Sequence, residues 1–341
     1  MNNLEIPDEP YYQIVGDDPT QGIKITLQEY SDFYQSLAIP CIISYTLTFI
    51  LGVTGNSLVI WIAGFKMKSI SAVWFLNLAI TDLICNSALL LRITEWSMVV
   101  QSNTFNNSLC KVSTSLMFFN MLTSVYFLTV ISIDRCVSVW WPLWSKIHRT
   151  RRLARIISVY IWWICLIITT PYVAFYNYTN FVSDCNVKII DLMLKSKKHK
   201  ARVIFNPKLV LMFVFPFMVI LISYSLIVLK LRTLKRHGGS QRPFKVITSV
   251  VVCFFICWCP YNIWPFIPLS TNYWKARNIL REVSICLAYF NSCINPIIYV
   301  FSSPDFKANF TIKSLPARLK NAFIDSDEVD SENIKTCTSL L

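Results

Sequence analysis

The sequence predicts an all-α membrane protein, a bundle of seven transmembrane helices followed by a short amphipathic eighth helix. Three observations lead to this prediction. The chain has 341 residues, of which 54% are hydrophobic and only 15% charged, more apolar surface than a soluble domain of this size can bury. Seven apolar runs are long enough to cross roughly 30 Å of hydrocarbon. Basic residues collect at the ends of these runs on one side.

The apolar runs follow one another closely, except for a long connection after the fourth. They cover residues 37–64, 71–98, 108–139, 154–175, 205–230, 244–270 and 279–301. An odd number of crossings places the two chain ends on opposite sides of the membrane. Lys and Arg cluster after the first, third, fifth and seventh runs, and cytoplasmic loops carry this excess. We therefore expect a multi-pass plasma-membrane protein with its N-terminus outside and its C-terminus in the cytoplasm.

Four regions follow from this topology. Residues 1–36 form an acidic extracellular tail, 37–303 the bundle, 304–319 an amphipathic helix on the membrane surface, and 320–341 a disordered cytoplasmic tail. The net charge of +13 does not indicate nucleic-acid binding, because the basic residues lie at the ends of apolar runs. No catalytic constellation lies outside the runs, so we do not expect an enzyme.

Polar side chains at mid-membrane depth are the first candidate site, since a charge there costs about 2.5–3.5 kcal/mol on insertion scales. Asp82 lies midway along the second run. Amides and hydroxyls lie at comparable depth in the first, third and seventh runs: Asn56, Asn120, Ser124, Asn291, Ser292 and Asn295. A carboxylate among such oxygens suits a small hard cation such as Na⁺. The alternative is a hydrogen-bonded network that only joins the helices. We expect no other metal.

An Asp-Arg pair marks the inner end of the third run. Asp134 and Arg135 lie where an arginine can reach water from within the membrane. The pair is either a functional site or one more positive-inside charge.

Prolines interrupt the last two runs. Pro260 follows Trp258 in the sixth run, and Pro296 lies between Asn295 and Tyr299 in the seventh. Proline in a helix interior frees carbonyl groups and kinks the helix, so both sites are candidate hinges.

Covalent modification is expected on the outer side. Cys110 opens the third run and Cys185 lies in the long extracellular loop, so both are in oxidising space and a disulfide is expected. Asn106 and Asn177 begin glycosylation sequons on outer loops.

Charged and aromatic residues near the outer ends of the runs form a candidate ligand pocket. The charged residues are Arg92, Glu95, Arg202, Lys208, Arg281 and Glu282. The aromatic residues that suit the floor of the pocket are Phe118, Phe119, Tyr261 and Tyr289. The cations suit the terminal carboxylate of a peptide, and the alternative is that they only reach towards interfacial water.

These motifs together resemble those of the rhodopsin-like (class A) G-protein-coupled receptors. The resemblance covers about residues 40–315 and includes these motif residues in order: Gly55-Asn56, Leu78 with Asp82, Asp134-Arg135-Cys136, Trp162, Pro216, Tyr224, Trp258 with Pro260, and Asn295-Pro296 with Tyr299. The segments Lys66–Lys68, Trp74–Ala79 and Pro142–Arg149 are similar to the chemoattractant peptide receptors. Among these the chemerin (chemokine-like) receptors are particularly similar.

The resemblance implies a receptor for an extracellular chemoattractant peptide or small protein, chemerin-like first, that signals through inhibitory heterotrimeric G proteins. It implies that Arg135, beside Asp134, contacts the G protein, that Trp258 is the switch below the ligand, and that Asn295 and Tyr299 rearrange. The implied allosteric Na⁺ site consists of Asp82 with Asn120, Ser124, Asn291 and Asn295. Receptor kinases and arrestin would act on the hydroxyl-rich tail.

Alternatives to this function remain open. The chain would also suit a non-signalling scavenger (decoy) receptor, or a receptor for formyl-peptide or complement-type ligands. Two departures from the family pattern lie at the ligand end: the loop before Cys110 reads Asn103-Thr-Phe-Asn106 instead of Trp-x-Phe-Gly, and Leu90 stands where many members carry proline.

Overall fold

The computed structural model describes residues 11–15, 22–102, 107–179, 210–234, 242–264 and 274–301. These residues form the strands β1 (Tyr11–Val15) and β2 (Gly22–Thr26) and the helices α1 (Leu27–Trp61), α2 (Ile70–Ser102), α3 (Asn107–Trp140), α4 (Pro142–His148), α5 (Arg151–Thr179), α6 (Phe215–Leu234), α7 (Arg242–Ile263) and α8 (Trp274–Phe301). One π-helical turn ends α1 (Ile62–Lys66), and another precedes α6 (Val210–Val214).

Seven helices in this described part have between 20 and 35 residues, namely α1, α2, α3, α5, α6, α7 and α8. They correspond in order to the seven apolar runs, and the prediction of a seven-helix membrane bundle is confirmed. The label α8 therefore denotes the seventh span. The predicted surface helix over 304–319 and the tail over 320–341 lie outside the described residues.

The seven helices are not equally apolar. Four are long and apolar enough to cross a membrane by length and composition alone: α1, α2, α3 and α5. The apolar stretches Phe215–Lys230 in α6 and Thr248–Ile263 in α7 are shorter. Helix α8 is more polar because one of its faces carries amide and charged side chains into the bundle, including Asn291 and Asn295, which are both buried.

Helix α3 lies at the centre of the bundle. It packs against α2, α5 and α6, whereas α8 closes the other side against α1, α2 and α7. The central position of α3 explains why its polar residues, such as Asn120 and Ser124, are almost completely buried. Polar groups that meet in the middle of the bundle therefore come mainly from α2, α3 and α8.

Helix α5 shows how the sequence separates the lipid-facing side from the core. Every third or fourth residue is buried: Ala154, Ser158, Ile161, Cys165 and Thr169. The opposite side is 54–66% exposed at Val159, Tyr160, Trp163 and Ile167. Such a continuous exposed apolar stripe is stable only where lipid covers it.

Helix α1 begins earlier than its apolar run predicts, at Leu27 instead of residue 37. The extra turns are polar, and they are held by contacts with the start of α8. Glu29 forms an ion pair with Lys275 at 2.8 Å, and the ring of Phe33 lies 5.0 Å from that of Trp274. Hydropathy marks where a helix crosses lipid, whereas these contacts determine where the helix begins.

Two elements were not predicted. Strands β1 and β2 pair antiparallel, with Tyr11 opposite Thr26, in the segment expected to be an acidic tail. Helix α4 lies in the connection after α3, with Pro142 in its first turn. Proline is well suited to that position because its fixed φ matches the helix and its missing N–H has no partner there.

A close approach between α1 and α8 depends on a glycine. A Cβ atom added at Gly55 would lie 2.9 Å from Cβ and 3.0 Å from Cγ of Pro296. The proline ring cannot rotate away, so the two helices can be this close only while position 55 lacks a side chain.

We predict that Gly55→Ala destabilises the protein by about 1–3 kcal/mol, because α1 and α8 must move apart. Gly64→Ala is the matched control: the nearest atom to its added Cβ is Cδ1 of Leu76, at an ordinary 3.6 Å. Thermal unfolding of the purified protein in detergent measures both. Equal unfolding midpoints for the two variants would contradict the close-packing explanation.

Candidate functional site

Asp82 is the centre of a polar cluster that joins three helices. Its side chain is completely buried in α2. Asn120 of α3 donates from Nδ2 to Oδ1 of Asp82 at 3.0 Å, and Asn295 of α8 donates from Nδ2 to Oδ2 at 2.8 Å. Each carboxylate oxygen therefore has one amide partner from a different helix. The structure thus brings Asp82, Asn120 and Asn295 together.

Helices α3 and α8, whose amides bond to Asp82, also carry buried amide oxygens. Among the described residues, Oδ1 of Asn120 and Oδ1 of Asn291 are buried without a hydrogen-bond partner. The hydroxyl of Ser124 lies 3.4 Å from Nδ2 of Asn120. Hard cations prefer carboxylate, carbonyl and hydroxyl oxygens. Asp82, Asn120, Asn291 and Ser124 carry oxygens of these kinds.

In the C-terminal half of α2, Arg92 and Glu95 form a buried ion pair. Nη1 of Arg92 lies 3.0 Å from Oε2 of Glu95, and both side chains are at most 3% exposed. The same Nη1 lies 3.2 Å from Sγ of Cys110, at the start of α3. Arg92 is therefore engaged with its own protein, and it links α2 to α3 at the outer end of the bundle.

A second ion pair lies at the outer end of α8. Nε of Arg281 donates to Oε1 of Glu282 at 3.0 Å, and both residues are buried. Four of the predicted ligand-pocket residues thus form two ion pairs, each with no net charge.

The predicted aromatic residues separate into different places. Trp258 is fully buried, and the ring of Tyr261 meets it edge-on at 5.8 Å. Tyr289 donates its hydroxyl to the carbonyl of Ser113 at 3.1 Å, which links α8 to α3. Phe119 instead lies against Trp162 of α5 at 5.6 Å, whereas Phe118 is buried in the core.

Near the C-terminal end of α3, Asp134 and Arg135 bind different partners. Nε and Nη2 of Arg149 donate to the two carboxylate oxygens of Asp134, each at 2.7 Å. Arg135 is buried and donates from Nη2 to the hydroxyl of Ser71 in α2. Bidentate arginine–carboxylate pairs are strong and directional, so Arg149 ties the segment after α4 to α3.

The sequence did not reveal three hydrogen-bonding partners of the site residues. These are Arg149 for Asp134, Ser71 for Arg135, and Asn86 for the backbone carbonyl of Asp82. The sequence marks Arg149 as a basic residue after the third run and as part of the segment Pro142–Arg149, but not as a partner of Asp134, and it does not single out Ser71 or Asn86. The depth of Asn86 in the second run, one turn outward of Asp82, is a signal that could have identified it.

Several predicted site residues fall outside the described part of the structure. These are Cys185, Arg202, Lys208, Asn106 and the side chains of Asn177 and Tyr299. Cys110 is disulfide-bonded. The nine other cysteines among the described residues are free, so the partner of Cys110 lies outside them.

Most of this chain is similar in sequence to known proteins. The family model described as 7 transmembrane receptor (rhodopsin family) matches residues 55–299. The chain is 35% identical to the C3a anaphylatoxin chemotactic receptor of Danio rerio over 78% of this chain and 73% of the relative. It is 35% identical to Chemerin-like receptor 1 of Sus scrofa over 87% and 86%. It is 33% identical to Formyl peptide receptor 2 of Mus musculus over 86% and 88%.

We predict that Arg92→Met destabilises the protein by about 3–5 kcal/mol, because Glu95 is left as a buried charge without its partner. The double variant Arg92→Met with Glu95→Leu should recover most of that loss. Thermal unfolding of the three purified proteins tests this. A double variant as unstable as the single one would show that Arg92 acts through its contact with Cys110 and not through the ion pair.

Proposed function

Because the chain belongs to the rhodopsin family of seven-transmembrane receptors, we propose that it senses an extracellular chemoattractant peptide or small protein and signals through inhibitory G proteins. As a member of this family it is a multi-pass receptor of the plasma membrane, with an extracellular ligand and a heterotrimeric G protein as partners. It is not an enzyme. The proposal adds the ligand class, the G-protein type and the residues that act.

The similarity to three kinds of chemoattractant receptor carries the proposal. Chemerin-like, formyl-peptide and complement C3a receptors are each 33–35% identical to this chain over more than three quarters of its length. A chemerin-like ligand is the first candidate, since the match to Chemerin-like receptor 1 combines 35% identity with 87% of this chain. Formyl-peptide and complement-type ligands are the alternatives to be tested beside it.

An extracellular N-terminus is consistent with the state of Cys110. This cysteine is disulfide-bonded at the start of α3, and disulfides persist in oxidising compartments. The first and third spans run in the same direction through a membrane, so the start of α1 lies on the same side as Cys110. The basic residues that follow α1 and α3 then lie in the cytoplasm.

At the ligand end, the ligand would enter above Trp258 and Tyr261, which form the floor. Arg92 with Glu95 and Arg281 with Glu282 are already engaged as neutral pairs. A carboxylate at the ligand terminus would then depend most on Arg202 and Lys208, the remaining predicted cations. Because Trp258 is fully buried beneath Tyr261, ligand contact with Tyr261 would be passed to it directly.

Between the two ends, Na⁺ would stabilise the resting receptor at Asp82. Its ligands would be oxygens of Asp82, Asn120, Ser124 and Asn291, while Asn295 keeps its bond to the carboxylate. A cation that binds one conformation better than another shifts the equilibrium towards that conformation. The two unpartnered amide oxygens of the described cluster support this role.

At the inner end, the pairs Asp134–Arg149 and Arg135–Ser71 would hold the resting state. Release of Arg135 from Ser71 would free its guanidinium for the G protein. Hydroxyl residues of the tail would serve receptor kinases and arrestin: Ser326, Ser331, Thr336, Thr338 and Ser339.

Ligand-stimulated nucleotide exchange on membranes that contain the full-length receptor tests the proposed function. We predict that a chemerin-like peptide stimulates exchange on inhibitory G proteins, and that Arg135→Ala reduces it at least tenfold with peptide binding retained, because the group freed for the G protein is lost. Formylated and complement-derived peptides are assayed in parallel. Binding and internalisation of a peptide without exchange on any G protein would identify a decoy receptor instead.

We predict that about 100 mM Na⁺ raises the unfolding midpoint of the ligand-free receptor and lowers basal exchange, since bound Na⁺ stabilises only the state that holds it. Asp82→Asn should abolish both effects. Choline at equal concentration controls for ionic strength. Equal responses to Na⁺ and choline in the unaltered receptor would exclude the cation site and leave a purely structural cluster.

A further inference from the structure

Asn86 is a fully buried polar residue that the proposed function does not use. It lies in α2 one turn outward of Asp82, and its Nδ2 donates to the backbone carbonyl of Asp82 at 2.8 Å. This bond orients the carboxamide so that Oδ1 is presented to α8. There the hydroxyl of Ser292 lies 3.1 Å from Oδ1 of Asn86.

The carboxamide of Asn86 also lies directly against α1. A Cβ atom added at Gly52 would be 2.2–2.4 Å from Oδ1, Cγ and Nδ2 of Asn86. Glycine is therefore required at position 52 for the side chain of Asn86 to keep its place. Because of this contact, a methyl group at Gly52 would displace the carboxamide of Asn86 from Ser292. Such a variant disturbs the contact without replacing Asn86.

Ser292 is the point where the three helices α1, α2 and α8 meet. Its carbonyl accepts a hydrogen bond from Nδ2 of Asn56 in α1 at 2.8 Å. Its hydroxyl has one proton and two acceptors in reach, Oδ1 of Asn86 and the carbonyl of Tyr289 at 2.6 Å. Three residues further along α8, Asn295 donates to Asp82. Asn86 thus acts on the turn of α8 that carries the contact to Asp82.

We propose that Asn86 is a positioning residue for receptor activation, which holds α8 in its resting place through Ser292. The activating rearrangement of α8 then has to break the Asn86–Ser292 contact. The inference rests on the proposed function for its signalling readout, but the position of α8 can be measured without signalling.

Replacing Asn86 with leucine removes this contact and leaves no group without a partner, whereas Ser292→Ala removes the donor to Oδ1 of Asn86. The Ser292 hydroxyl keeps the carbonyl of Tyr289 as its acceptor when Asn86 is replaced. One neutral hydrogen bond has a net effect equivalent to roughly a threefold to tenfold change in an equilibrium constant. We expect basal activity to rise by a factor of that size.

The experiment measures agonist-independent nucleotide exchange on membranes that contain the full-length receptor, normalised to surface receptor. Asn86→Leu and Ser292→Ala should each raise it roughly threefold to tenfold. The double variant should not exceed the larger single effect, because both remove the same contact. Ser87→Ala is the matched control: that hydroxyl is on the exposed side of α2 and bonds to the carbonyl of Leu83 in its own helix.

A second pair of variants tests the same contact without removing it chemically. Gly52→Ala should raise basal exchange like Asn86→Leu, because the added methyl displaces the carboxamide. In an Asn86→Ala background the methyl has room, and Gly52→Ala should have no further effect. This pair remains informative if Asn86→Leu fails to reach the surface. Unchanged basal exchange in Ser292→Ala and Gly52→Ala at normal surface levels overturns the proposal, and so does an additive double variant.

Hydrogen–deuterium exchange of purified receptor separates this inference from the proposed function. Asn86→Leu should accelerate backbone exchange in α8 at residues 286–298, and leave α5 unchanged. Faster exchange in α8, with no nucleotide exchange in any variant or with any peptide, would uphold the positioning role and refute G-protein signalling. Equal exchange in α8 for Asn86→Leu and the unaltered receptor would refute the positioning role.

Discussion

The bundle depends most on the hydrogen bonds to the buried carboxylate of Asp82. Within the membrane, a polar side chain has no water to form hydrogen bonds with, so its partners must come from neighbouring helices. Asn120 and Asn295 supply them from α3 and α8 at 3.0 and 2.8 Å. The requirement to satisfy one buried charge therefore determines how three helices are rotated towards one another. The apolar faces of those helices tolerate many rotations, whereas this set of bonds tolerates few.

Charged side chains are paired differently at the two ends of the bundle. At the outer end, Arg92 with Glu95 and Arg281 with Glu282 are neutral pairs within single helices, close in sequence. At the inner end, Asp134 binds Arg149 and Arg135 binds Ser71, so the bonds cross between segments. Pairs within a helix can persist while helices move. Bonds between helices have to break, and those are the ones suited to a change of state.

The sequence predicted the number and order of the spans and the depth of the Asp82 cluster, because hydropathy and mid-membrane polar residues are one-dimensional signals. It did not predict partners. Arg135 and Ser71 are 64 positions apart, and whether they meet depends on how α2 and α3 are rotated. Phe118 and Phe119 are neighbours in sequence, yet Phe119 contacts Trp162 of α5. Arg92 and Glu95 are three residues apart, and side chains at this spacing are neighbours on a helix, so this pair could have been predicted from the sequence.

The length of α1 has a consequence for how a ligand is captured. A helix of 35 residues is about 50 Å long, well beyond the roughly 30 Å of hydrocarbon, and β2 ends at Thr26, where α1 begins. The β1–β2 hairpin is thus attached directly to a helix, which contains one interior proline, Pro40, and not to an extended linker. A protein held by that hairpin would explore a small volume over the mouth of the receptor, which raises its effective concentration there.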